Sequence, residues 1–255
     1  MTEIRQAKIV LLRHGQCEGG NFLRGKTDVE LSQLGLANMR NSIKPIDIMP
    51  YLPKALLVSS PLKRCQCFAK QLLSELSVDS TAAFIQNQNI KQPHSVDLLA
   101  VQLMSEMAEI DFGDWDGLSF DDLYKQFGDS IDRYWQDPWQ YTPPNAETMA
   151  EFELRVASGF NTICQQLRLL ANSPEPNENS PELDELSPEL EKNTSEPMAL
   201  IVTHGGVIRA IIALVLGLER CKGIYDTLAI DYAAIVSISI FWVGEESEPK
   251  FRLTF

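Results

Sequence analysis

Long hydrophobic runs are missing from this 255-residue chain: the longest, Ala210–Leu216, covers seven residues, far fewer than the roughly 20 that a bilayer-spanning helix needs. The apolar stretch ahead of Arg13 is Ile9–Leu12, four residues, too short for the core of a secretory signal. A cytoplasmic protein with no membrane partner is therefore expected, its five cysteines reduced thiols rather than disulfides. Basic charge is also scarce. Lys+Arg number 22 against 35 Asp+Glu, a net charge of −13, which argues against nucleic acid or an anionic lipid surface as a partner, since both reward a basic face. Much of that imbalance is local. Residues 171–198 carry five prolines, eight acids and one lysine, 1 − 8 = −7 in 28 residues. Lacking aromatic and β-branched apolar residues, the segment cannot bury enough surface to offset its ordering entropy, and a mobile acidic loop is expected there.

What is present points to an α/β protein. An apolar fraction of 44% is enough for a sizeable core. Lys8–Leu12, Ala55–Val58 and Ala199–Val202 read as short strands buried on both faces, as in a parallel sheet. Helical spacing follows each: Leu31–Ile43 with Ser32 as N-cap, a stretch from Pro61 to Leu76, and Gly205–Leu216, apolar almost all round. A long amphipathic helix is expected over Ala146–Leu170, with strands at Ile235–Val243 and Phe251–Phe255. This alternation predicts a three-layer α/β/α sandwich with a mostly parallel central sheet, and one domain over residues 1–255.

Histidine is scarce, and that makes its placement informative. Of three histidines, two precede glycine at the end of a predicted strand and the start of a predicted helix: Arg13-His14-Gly15 and His204-Gly205-Gly206. The carboxyl edge of a parallel sheet is where ligands bind, and helix N-termini there favour anions. Arg13 and Arg64 stand in similar positions, and their planar forks match phosphate oxygens. Arg209, one turn into its helix, reads equally well as a partner for an acid and is left aside. No close Cys/His/Asp spacing suggests a metal. Cys65 and Cys67, two apart on a helix, point to different faces, and His94 lies in a polar loop.

At these residues the sequence resembles the histidine phosphatase superfamily, in its phosphoglycerate-mutase-like branch. Leu11-Leu12-Arg13-His14-Gly15 is similar to that family's opening motif, and Gly25 to Gly35 to the motif that follows it. Ser59-Ser60-Pro61-Leu62-Lys63-Arg64, Glu109-Ile110-Asp111-Phe112-Gly113 through Trp115 to Gly117, and Thr203-His204-Gly205-Gly206-Val207-Ile208-Arg209 complete the series. The resemblance implies that His14 takes the phosphoryl group as phosphohistidine. It also implies that Arg13, Arg64 and His204 hold the phosphate, and that Glu109 donates a proton to the leaving alkoxide and later accepts one from water. Glu106, three residues earlier, competes for that last role. The chemistry is reasonable without cofactor or metal, because a neutral imidazole is a nucleophile at neutral pH. The acid-phosphatase branch fits poorly, because Gly205 follows the second histidine where that branch has aspartate.

Departures from the family pattern bear on the substrate, a small phosphate ester. The first loop, Glu18 to Gly25, is shortened, and Asn21 and Arg24 are expected near the phosphate. Asp116 stands where the family has Glu; Glu147, Thr148 and Arg155 read as helix cap and structural pairing. A short first loop is similar to bacterial alpha-ribazole-5′-phosphate phosphatases of cobalamin synthesis. Residues 124–141 hold six aromatics that either stack on the base of such a substrate or form a packing patch. The alternatives are a broader sugar or nucleotide phosphatase, a phosphoglycerate mutase, and an inactive phosphate-binding module. Oligomeric state is not legible.

Overall fold

A computed structural model describes residues 4–46, 48, 51, 54–86, 100–173, 196–244 and 247–255. Six strands form one sheet: β1 (Ile4–Arg13), β2 (Ala55–Ser59), β3 (Val101–Leu103), β4 (Met198–Thr203), β5 (Ile235–Val243) and β6 (Lys250–Thr254). They lie in the order β3-β2-β4-β1-β5-β6. The first four are mutually parallel, and β5 and β6 add antiparallel at one edge. Among the described residues the α-helices are α1 (Gln33–Ile43), α2 (Lys63–Gln86), α3 (Phe120–Phe127), α4 (Asp129–Gln136), α5 (Met149–Asn172), α6 (Gly205–Val215) and α7 (Lys222–Asp226).

The sandwich follows from the alternation of side chains along the central strands. In β1, Ile9 and Leu11 face a core built with Phe152, Val156, Phe160, Ile163 and Leu167 of α5 and with Val207, Ile208 and Ile211 of α6. Val10 and Leu12 face the opposite core, made with Met39 and Ile43 of α1 and Phe68, Ala69 and Leu72 of α2. Each fully buried large side chain in these layers contributes roughly 1.5–3 kcal/mol.

Several elements differ from expectation. Helix α5 begins at Met149 rather than Ala146, because Thr148 caps it in a capping box with Glu151 and Asn145 sits in the left-handed region at φ 58°. Helix α2 starts two residues after Pro61 and runs on to Gln86. The aromatic stretch 124–141 falls on α3, α4 and the turn after them, joined at Gly128 with φ 40°. Of the acidic segment 171–198, residues 174–195 lie outside the described residues, as does His94.

Parallel register brings distant chain segments to one edge. Arg13 pairs with Thr203 and Ser59 with Val202. Just beyond the strands, His14 N–H donates to the Thr203 carbonyl at 2.8 Å and Ser60 N–H to the Val202 carbonyl at 3.0 Å. The chain leaving His14 then crosses α1 at backbone contact. A Cβ on Gly15 would lie 2.2 Å from the Gly35 carbonyl oxygen, and one on Gly35 would lie 2.1 Å from the carbonyl oxygen of Gln16, so both positions require glycine.

Candidate active site

At that edge the two imidazoles meet. The rings of His14 and His204 are 5.2 Å apart, centroid to centroid, edge to face. The buried His14 donates Nδ1–H to the carbonyl of Gly15 at 2.8 Å, which leaves Nε2 with a free lone pair. Burial first, then the charges of Arg64, Arg13 and Arg24, push its pKa down to about 3. His14 is therefore neutral near pH 7.

Arg64 lies wholly inside the protein. It donates Nη1–H to the Thr27 carbonyl at 2.8 Å, Nη2–H to the Gly25 carbonyl at 2.7 Å and Nε–H to His204 Nδ1 at 3.3 Å, leaving two of its five N–H groups for an anion. Because Arg64 can only donate, His204 Nδ1 accepts and Nε2–H points to Ser60 Oγ at 2.7 Å. Burial and the neighbouring Arg64 hold the His204 pKa well below its ordinary value. Arg13 anchors through Nη1 on the Ile230 carbonyl, while its buried Nε has no partner.

Glu109 reaches this cluster from the segment after β3. Its Oε2 accepts from the Gly206 N–H at 3.1 Å, at the N-terminus of α6. A Cβ on Gly206 would meet Glu109 Oε1 at 2.2 Å, so the second glycine of His204-Gly205-Gly206 makes room for the carboxylate. Arg155 holds the approach to Glu109. Its Nη1 donates to the carbonyls of Glu106 (3.0 Å) and Ala108 (2.8 Å) and its Nη2 to that of Glu109 (3.1 Å), while Glu147 takes its Nε at 2.6 Å. The Glu106 Cβ packs against Gly159 of α5, and its Oε2 accepts from Ser105 Oγ at 3.2 Å. Of the two carboxylates, Glu109 is the one hydrogen-bonded at the N-terminus of α6.

The first loop closes on itself. Arg24 donates Nη2–H to the carbonyls of Glu18, at 3.0 Å, and Gly20, with its charge near enough to act on His14. Asn21 is exposed, and among the described residues its side chain makes no hydrogen bond. Asp116 supplies an order not legible beforehand. Its carboxylate takes the N–H of Lys26 at 2.7 Å and that of Thr27 at 2.9 Å, fixing the turn whose carbonyls receive Arg64. Ser60, Gly206 and Tyr232 were missed as well. For Ser60 and Gly206 the signal lay inside the quoted motifs; for Tyr232, whose ring lies 5.6 Å from that of His14, no local pattern existed. The aromatic stretch divides: Phe127, Tyr134 and Trp139 pack in the core, and Tyr124, Trp135 and Tyr141 are exposed. Cys17 Sγ lies 3.7 Å from His14 Nδ1, and burial raises its thiol pKa.

Neutral buried imidazoles link stability to pH. Below about pH 6.5 the unfolded chain takes up histidine protons that folded His14 refuses down to about 3, so stability is fully present above pH 6.5 and falls as pH drops through that window. His14 alone should account for about 2 kcal/mol lost between pH 7 and 5. Urea unfolding of wild type and His14→Gln at the two pH values checks this: the variant should lose about 2 kcal/mol less than wild type over that interval.

The family model described as "Histidine phosphatase superfamily (branch 1)" matches residues 9–85 and 81–169. The chain is 27% identical over 150 residues to a 2,3-bisphosphoglycerate-dependent phosphoglycerate mutase of Bartonella quintana, covering 58% of this chain and 64% of that enzyme, just under two thirds of its length. A mycobacterial glucosyl-3-phosphoglycerate phosphatase in complex with inorganic phosphate superposes with TM-score 0.64 at 22% identity, over 98% of this chain and 96% of that one. The alpha-ribazole phosphatase of Shigella flexneri superposes with TM-score 0.60 at 18% identity, over 96% and 95%. These two superpositions establish the fold. Among the described residues no helix is long and apolar enough to cross a membrane.

Proposed function

The chain belongs to the histidine phosphatase superfamily, branch 1, and on that footing we propose a metal-independent phosphomonoesterase that works through phosphohistidine. The observation that carries this reading is the state of His14: Nδ1–H held on the Gly15 carbonyl at 2.8 Å, Nε2 free, and a pKa of about 3. Nε2 attacks phosphorus while the bond from phosphorus to the ester oxygen breaks, and Glu109 gives its proton to that oxygen. Water then attacks the phosphohistidine, the P–N bond breaks, and Glu109 recovers a proton as phosphate leaves. The Gly15 carbonyl supports the charge that the imidazole acquires in between. Arg13 and Arg64 offset charge on the equatorial oxygens, the largest contribution expected in phosphoryl transfer. His204 acts with them through its contact to Arg64.

For the ester itself we take alpha-ribazole 5′-phosphate. The compact Glu18–Gly25 loop supports this, as do the exposed rings of Tyr124, Trp135 and Tyr141, which offer faces for a planar base. A second reading, a phosphoglycerate-type ester, is favoured by Arg24, whose charge beside His14 suits a substrate with a second anionic group. Turnover of p-nitrophenyl phosphate, alpha-ribazole 5′-phosphate, 3-phosphoglycerate and glucosyl-3-phosphoglycerate, with and without EDTA, tests both. Hydrolysis unaffected by EDTA is expected, with kcat/KM for alpha-ribazole phosphate at least about tenfold above the others, the span that 1.4 kcal/mol gives. Equal rates on every ester overturn the choice of substrate, and absence of hydrolysis overturns the enzyme.

A further inference from the structure

Arg13 is held almost without polar partners. Among the described residues no carboxylate pairs with it, its Nε is buried without a partner, and one hydrogen bond, from Nη1 to the Ile230 carbonyl, ties its guanidinium to the protein. What lies against it is an aromatic face. The Tyr232 ring centroid is 4.3 Å from Arg13 Cζ, and the same ring lies 5.6 Å from that of His14, tilted by 50°.

The backbone just after Tyr232 is fastened to these two residues. Ala233 N–H donates to the His14 carbonyl at 3.2 Å, and Arg13 N–H donates to the Ala234 carbonyl at 3.0 Å. Ala233 is buried and adopts the left-handed region at φ 60°, a backbone strain that a held segment tolerates. Tyr232 itself remains 43% exposed. So the segment is locked to the site, while the side chain contributes little to the core.

We propose that Tyr232 is a positioning residue of the phosphate clamp: its π face carries the Arg13 guanidinium and fixes the angle at which that fork meets the anion. The proposal rests on the reading of the site given above. An arginine held by one hydrogen bond and a cation–π contact keeps its charge undiminished, whereas a carboxylate partner would compete with the phosphate.

The test compares Tyr232→Phe, Tyr232→Leu and Tyr232→Ala in the full chain. It uses calorimetric titration with inorganic phosphate, and KM and kcat for p-nitrophenyl phosphate. Phe keeps the π face, so phosphate affinity within about twofold of wild type is expected. Leu fills much of the space without a quadrupole, and both Leu and Ala should weaken phosphate binding and raise KM by about three- to thirtyfold, with kcat changed less and the thermal midpoint held. Wild-type affinity in the Leu or Ala variant overturns the proposal, and so does a Phe variant as weak as Ala. A wild-type protein that binds no phosphate overturns the reading of the site itself, which separates the two failures.

Discussion

His14→Ala is expected to abolish turnover, with p-nitrophenyl phosphate hydrolysis falling by about 10⁴-fold or more. The size of the effect comes from what the residue is proposed to do. A group that forms the covalent bond to phosphorus has no substitute among its neighbours: His204 has Nδ1 against Arg64 and Nε2 against Ser60. The variant leaves the arginines in place, so phosphate affinity should change by much less than activity. Rapid quenching of the wild type should trap an acid-labile phosphoryl label, absent from the variant. A His14→Ala protein that retains a tenth of wild-type turnover would falsify the nucleophile assignment.

Glu109→Gln carries the second large effect, and its signature is selectivity between leaving groups. An alkoxide departs poorly without a proton, and a positioned acid contributes about 10²- to 10⁴-fold. p-Nitrophenolate needs little such help. Loss of kcat should therefore approach that range on an alkyl phosphate and be about tenfold at most on the aryl ester. Gln keeps an oxygen to accept from the Gly206 N–H, now 3.1 Å from Oε2, so the change is chiefly one of proton supply. Glu106→Gln is the control, because that side chain packs on α5. Equal losses on both esters, or a larger loss at Glu106, would remove Glu109 from the proton-transfer role.

Much of this site was legible because local chemistry wrote it. His14 and His204 stand at strand ends, where register places them at one level. Ser32 caps α1 as expected, accepting from the Gly35 N–H. The directions of β5 and β6 were not legible, since an apolar run carries no sign of which way it pairs. Helices α3 and α4 were hidden by an aromatic content that served two ends at once, three rings in the core and three outside. Arg155 read as a structural partner of Glu147, which it is. Its grip on the carbonyls of Glu106, Ala108 and Glu109 depends on a contact across about fifty residues that no spacing announces. Tyr232 is farther still in sequence from Arg13, and only the folded chain joins them.

The meeting of Gly15 and Gly35 has a mechanical side. Side chains that pack between two elements act as springs, absorbing small shifts by changing rotamer. At this crossing main chain rests on main chain, and Gly35 belongs to the first turn of α1. A tilt of that helix is therefore expected to reach the main chain beside His14 with little to absorb it at this point. Substitutions on its outer face, such as at the exposed Leu34, are therefore expected to shift the rate of the proposed reaction without touching the pocket.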